Sequence, residues 1–159
     1  METLKDKEAT AYHEAGHVMA FILSGIRFRE VTIKPKKGSY SGAVKYKTHI
    51  RHELANIDFL YPGFFYKWFR WDIILVAGSM AEAIYGNSDF ESGGHPDIVL
   101  LFRTFSNLSK DMGKKYLDFL IAYTNEALIN NWTKIEAIAK ALLEKETLCY
   151  DDVTNIVYK

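Results

Sequence analysis

His13, Glu14 and His17 stand in the run Ala9-Thr10-Ala11-Tyr12-His13-Glu14-Ala15-Gly16-His17-Val18 with the spacing H-E-x-x-H. On a helix, residues i and i+4 lie on one face, so two imidazoles point at one spot and can share a zinc ion. Glu14, three positions before His17, can reach a water at that spot and serve as its general base. Two ligands and a base within five residues predict a metal-dependent hydrolase. A catalytic zinc usually keeps three protein ligands and one open position, which leaves a third ligand to find. A histidine six residues after His17 is excluded, because position 23 is Leu23. The other solution is an acidic residue from a later helix, and Glu53, Glu82, Asp89, Glu91 and Asp97 are all open on composition alone.

The elements that must position these groups follow from periodicity. A first helix is expected from about Asp6 to Ser24, stopped by Gly25, with Ala9, His13, Gly16, His17 and Ala20 on one face. The small residues of that face would let a neighbouring element approach the metal closely. Arg29 to Pro35 and Gly42 to Lys47 alternate in polarity around a turn-rich segment, so two short antiparallel strands are expected. A short polar helix near Arg51 to Ile57 is followed by an aromatic cluster, Phe59 to Trp71. A strong helix is then expected over Asp72 to Tyr85, a loop over Asn87 to Gly94, and a helix from Pro96 to Asn107. Helices at Lys114 to Asn130, Trp132 to Glu146 and Asp151 to Tyr158 complete a single domain, residues 1–159. The stripe Leu117, Leu120, Ile121, Ala127, Leu128 has helical spacing and reads as core. The fold class is mainly α with a small antiparallel β-sheet.

Composition narrows the rest. Hydrophobic residues make up 48% and charged residues 25%, an ordinary globular balance. The formal net charge is zero, which gives no electrostatic case for a nucleic-acid partner. Cys149 is the single cysteine, so no intramolecular disulfide forms and a thiol protease is rejected for want of a nearby histidine motif. No run approaches the roughly 18 to 20 apolar residues of a membrane span, and the charged N-terminus is unlike a signal peptide. A cytoplasmic protein is the expectation. His49 and His52 read as surface residues, and Tyr12 as a packed tyrosine.

Three segments, in order and spacing, resemble the peptidase domain of the FtsH family of ATP-dependent zinc metalloproteases. They are Ala11-Tyr12-His13-Glu14-Ala15-Gly16-His17, the stretch Val76 to Gly86 with Gly78 and Glu82, and Ser92-Gly93-Gly94-His95-Pro96-Asp97-Ile98. The stretch Ala137 to Leu148 resembles the closing helix of that domain. The resemblance implies a zincin-like peptidase fold and one zinc per chain. It implies His13, His17 and Asp97 as ligands, Glu14 as the base, and Glu82 as an acceptor supporting a ligand histidine. The substrate would be an unfolded or flexible protein chain. The edge strand expected to hold it in extended form is Ser41, Gly42, Ala43, Val44, Lys45 and Tyr46, acting by strand addition. The same resemblance implies a six-fold ring or a separate ATPase partner. The alternative is a catalytically idle relative acting as an adaptor or inhibitor, against which the retention of Glu14 argues.

The sequence departs from that family in lacking any G-x-x-x-x-G-K-[ST] phosphate loop, so an excised domain or a stand-alone relative is expected, with the start at Met1 favouring the latter. His95 and Pro96 replace the residues usual before the aspartate, with Pro96 suited to start a helix. The aromatic run Phe59 to Trp71 reads as an insertion, forming a local core or a self-association surface.

Overall fold

The computed structural model describes residues 4–34, 42–46, 62–86, 101 and 108–159. These form α1 (Leu4–Leu23), β1 (Phe28–Thr32), β2 (Ala43–Tyr46), α2 (Pro62–Gly86), α3 (Lys110–Ile129), α4 (Trp132–Lys145), β3 (Thr147–Cys149) and α5 (Tyr150–Val157). The architecture is mainly helical with one small antiparallel sheet.

α1 is the centre of the molecule. From Ala11 to Ile22 every residue is buried, so the helix has no solvent face over that span. Its two sides meet α2 and α4. The contact with α2 is close because Gly16 has no side chain. A Cβ there would lie 2.5 Å from both the Ala77 carbonyl oxygen and the Ala81 methyl. α1 ends where the glycine stop is expected. Gly25 takes φ +64°, the Gly25 amide donates to the Ile22 carbonyl, and the Ile26 amide donates to Phe21. This pair of bonds is the Schellman pattern, which closes a helix end with glycine in the left-handed region.

The sheet has the order β2-β1-β3, antiparallel throughout. Val31 pairs with Val44 on one side and with Leu148 on the other, so among the described residues β1 is central and β2 is an edge. Two strands are expected from sequence; the third, β3, is a correction. The stretch Ala137 to Leu148 is not helical to its end. α4 stops at Lys145, Glu146 adopts φ 58°, and the chain turns directly into β3. The Glu146 carbonyl then accepts from the Ile33 amide and the Thr32 hydroxyl, at 3.0 and 3.1 Å.

A second correction concerns the aromatic run. Its residues from Pro62 onward are the first half of α2, which runs unbroken to Gly86. Pro62 and Gly63 sit in the first turn, where a missing amide hydrogen costs no helical bond. Trp71 is core, packed against Phe21 and Tyr46. Phe69 packs against Phe119 and Tyr123 of α3, while Tyr66 is 63% exposed. Deeper in the same interface the Tyr116 hydroxyl donates to the fully buried Asp72 carboxylate at 2.8 Å. Burial, then the Asp72 charge, push the Tyr116 hydroxyl well above its usual pKa. On α3 the buried stripe is Tyr116, Leu120, Thr124 and Leu128, with Leu117 and Ile121 half-buried against the core. The expected segments Arg51 to Ile57, Asn87 to Gly94 and all of Pro96 to Asn107 except Leu101 lie outside the described residues.

Candidate metal centre

α1 delivers His13 and His17 to one face one turn apart, as the i, i+4 spacing requires. All three residues of the motif are buried: His13 and Glu14 at 7% and 4% exposure, His17 at 8%. The two rings meet edge to face, with a 74° interplanar angle, and their Nε2 atoms lie 3.1 Å apart.

The outer nitrogen of each ring is held from α2. His17 Nδ1 lies 2.7 Å from the Ile74 carbonyl oxygen, and His13 Nδ1 lies 2.9 Å from Glu82 Oε2. A carbonyl only accepts, so His17 donates from Nδ1 and presents its lone pair at Nε2. An ionised Glu82 imposes the same tautomer on His13. Two lone pairs facing each other at 3.1 Å repel unless a cation lies between them, either a metal ion or a proton. Nitrogens at that separation can both lie about 2.0 to 2.1 Å from one zinc ion. An acceptor behind each ligating imidazole is the usual support of such a site.

Gly78 of α2 keeps the space in front of the pair open. A Cβ at position 78 would lie 2.7 Å from His13 Nε2 and closer still to His17 Nε2. No side chain larger than hydrogen fits there without displacing an imidazole. Glu14 sits beside this space and against β2, since a Cβ at Gly42 would lie 2.7 Å from Glu14 Oε1. A cleft of ≈ 270 Å³ opens next to Glu14 and His17 and is bordered by Gly42, Ala43, Val44 and Tyr46.

His13, Glu14, His17 and Glu82 are thus brought together, and Gly42 to Tyr46 lie alongside them. Lys45 differs from its neighbours in pairing with Glu30 at 2.6 Å on the exposed side. This ion pair holds the Glu30 carboxyl below its usual range. Asp97 and Ser41 lie outside the described residues, as do His95 and Pro96. Among the described residues no group of three His, Cys, Asp or Glu side chains forms a complete metal site. Glu82 contacts a ring nitrogen, in keeping with support rather than ligation.

Tyr12 is a packing residue. Its ring stacks on Tyr85 at 3.9 Å and on Trp132 at 5.7 Å. The Tyr85 hydroxyl donates to Glu8 at 2.6 Å. Burial, then Glu136 and Glu8, raise the Tyr12 hydroxyl above its usual pKa. This stack ties α1, α2 and α4 together within a turn of the His13–Glu82 bond.

Sequence reasoning missed the Ile74 carbonyl, and it named Gly78 and Gly42 without the close-approach role the structure gives them. Gly78 was detectable as a glycine inside a helix, where it costs about 1 kcal/mol against alanine and so asks for a reason. Gly42 carried a similar signal at a strand start. The Ile74 carbonyl carried none, because a backbone acceptor leaves no mark on residue type.

No protein-family model matches the chain. It is similar to the ATP-dependent zinc metalloprotease FtsH of Opitutus terrae, with 28% identity over 188 aligned residues. The alignment takes in 97% of this chain and 29% of that protein, so the chain spans under a third of the relative's length. The similarity supports a relation to the FtsH proteins. Among the described residues, no helix is long and apolar enough to cross a membrane.

Proposed function

We propose that this chain is a zinc-dependent endopeptidase of the FtsH peptidase type, binding one zinc through His13 Nε2, His17 Nε2 and Asp97. The observation that carries the reading is the paired Nε2 atoms, each imidazole held from behind and Glu14 placed at their side. The similarity to FtsH supports the same chemistry.

When bound, zinc would supply an acidified water, its pKa brought from 15.7 towards about 7, and a polarised substrate carbonyl. The Glu14 carboxylate takes the proton of the attacking water and returns it to the amine that leaves as the C–N bond breaks. Glu82 and the Ile74 carbonyl fix the ring orientations, and Gly78 keeps the approach clear. β2 offers its edge to an extended substrate backbone. An extended chain is a requirement of such a cleft, so unfolded or flexible proteins are the proposed substrates. Assembly into a ring, work alongside an ATPase partner and a cytoplasmic setting belong to the same proposal.

Glu14→Gln tests the mechanism. The variant should retain one zinc per chain by metal analysis and lose casein hydrolysis by about 100-fold or more, the range of a general base. Hydrolysis at the wild-type rate in a zinc-loaded Glu14→Gln protein would refute the assignment.

A further inference from the structure

The formal net charge of zero conceals a division along the chain. From Arg27 to Arg51 the sequence carries eight Lys and Arg residues and a single acidic one, Glu30. The remaining residues carry twelve basic and nineteen acidic side chains. The cationic segment supplies β1 and β2, and β2 follows Gly42, the position against Glu14. Exposed charges are screened beyond about 8 Å at physiological ionic strength. A chain approaching β2 therefore meets the field of this segment ahead of that of the more distant acidic groups.

Local pairing leaves the segment cationic. Glu30 and Glu146 lie within the field of Lys34, but each already bonds another lysine, Lys45 at 2.6 Å and Lys7 at 3.0 Å. Lys34 and Arg29 are both exposed. Arg27 lies 3.8 Å from Asp151. Asp151 and Asp152 follow β3, which β1 separates from β2.

Strand addition would place a substrate among these groups. Side chains alternate between the faces of a strand, so Lys45 stands on the face opposite Val44 and Tyr46. It pairs across the ladder with Glu30 of β1. A strand added to the free edge of β2 lays one of its own side chains on the other flank of Lys45. The ammonium has three N–H donors, and Glu30 accepts one of them. A carboxylate on the incoming strand accepts a second, whereas a lysine at that position is repelled.

We infer that the β1–β2 segment selects acidic substrates: flexible chains carrying Asp or Glu within a few residues of the bond under attack. Lys45 meets one of those carboxylates directly, and Arg29 and Lys34 draw the chain in through their field. The inference rests on the hydrolytic reading above and adds the substrate class to it. A nucleic acid carries the same sign of charge, but its backbone cannot extend β2 by strand pairing, so an acidic polypeptide is the occupant that fits both features.

The test separates binding from cleavage. Binding is read on zinc-loaded Glu14→Gln protein by the fluorescence anisotropy of three labelled peptides that differ only in flanking Glu, Gln or Lys residues. The Glu peptide should bind about 10-fold more tightly than the Lys peptide in low salt, and the ratio should fall to about 2-fold when salt is raised roughly tenfold. Lys45→Gln should lower the low-salt ratio at least ~2-fold, and the double variant Arg29→Gln, Lys34→Gln should flatten its salt dependence. Should Lys45→Gln fail to fold, as judged by its melting curve, the double variant is read alone. A ratio near one in low salt, a preference for the Lys peptide, or a ratio unmoved in the folded variants overturns the inference. Tighter binding of a single-stranded oligonucleotide of equal charge overturns it in favour of a nucleic-acid site. Cleavage of the same peptides is followed with the unsubstituted protein. Acid-selective binding without any cleavage would retain the acidic preference and remove the hydrolytic reading. Cleavage of all three at one rate, with equal binding, would do the reverse, and absence of both binding and cleavage would remove the two together.

Discussion

The two halves of α2 perform opposite tasks with opposite residue types. From Ile74 to Glu82 the helix offers small side chains and polar acceptors, with Ala77, Gly78 and Ala81 facing α1. There the backbone approaches so closely that single atoms decide the geometry. From Phe65 to Phe69 the same helix offers rings, which fill area against α3 or extend into solvent. One helix therefore joins a region intolerant of a methyl group to one whose outer positions, such as Tyr66, are open to solvent.

Substitutions sharpen that contrast. Gly78→Ala should have the largest effect: zinc content falls to background while the far-ultraviolet circular dichroism remains helical. Normal zinc loading in this variant would mean the nitrogen pair is not the site. Glu82→Gln should come next. It keeps the shape but weakens the acceptor behind His13, and zinc affinity should drop about 10- to 100-fold in a chelator competition. An unchanged affinity would reduce Glu82 to a bystander.

A smaller effect belongs to the sheet end of the molecule. Hydrogen bonding to Lys7, followed by its charge, lowers the Glu146 carboxyl below its ordinary 4.5. A carboxyl lowered in the fold stabilises above its unfolded pKa, and the contribution is lost as pH falls through the folded value. Melting temperature should therefore decline as pH drops below about 4.5, and Glu146→Gln should make that decline shallower. Equal slopes for the two proteins would exclude the ion pair. Tyr66→Ser, on the exposed half of α2, should have the smallest effect, within about 0.5 kcal/mol by urea unfolding. A larger loss would show that this aromatic face is covered in solution.

The same contrast governs what could be read from sequence. α1 was legible because the i, i+4 histidines, the small face and Gly25 all point to one helix and its end. The chemistry of His13, Glu14 and His17 followed from type and spacing alone. Glu82 was reached through a resemblance, and its contact with His13 Nδ1 agrees with a supporting role. The start of α2 was misjudged because Pro62 and Gly63 resemble breakers, and because an aromatic run with no polar face has no helical period to detect. β3 was missed for a different reason. Three residues carry no pattern, and Thr147 to Cys149 are extended because β1 lies there to pair with them.

That last pairing closes a long loop, since Thr32 and Thr147 lie 115 positions apart. The two strands meet only once the helices between them have folded back, which makes this a non-local event of the kind that forms slowly. β1 in turn fixes the register of β2 beside Glu14. The histidine pair needs only one turn of α1, whereas the strand beside Glu14 needs the sheet behind it. The topology thus makes the wall beside Glu14 one of the last parts of the described fold to take shape.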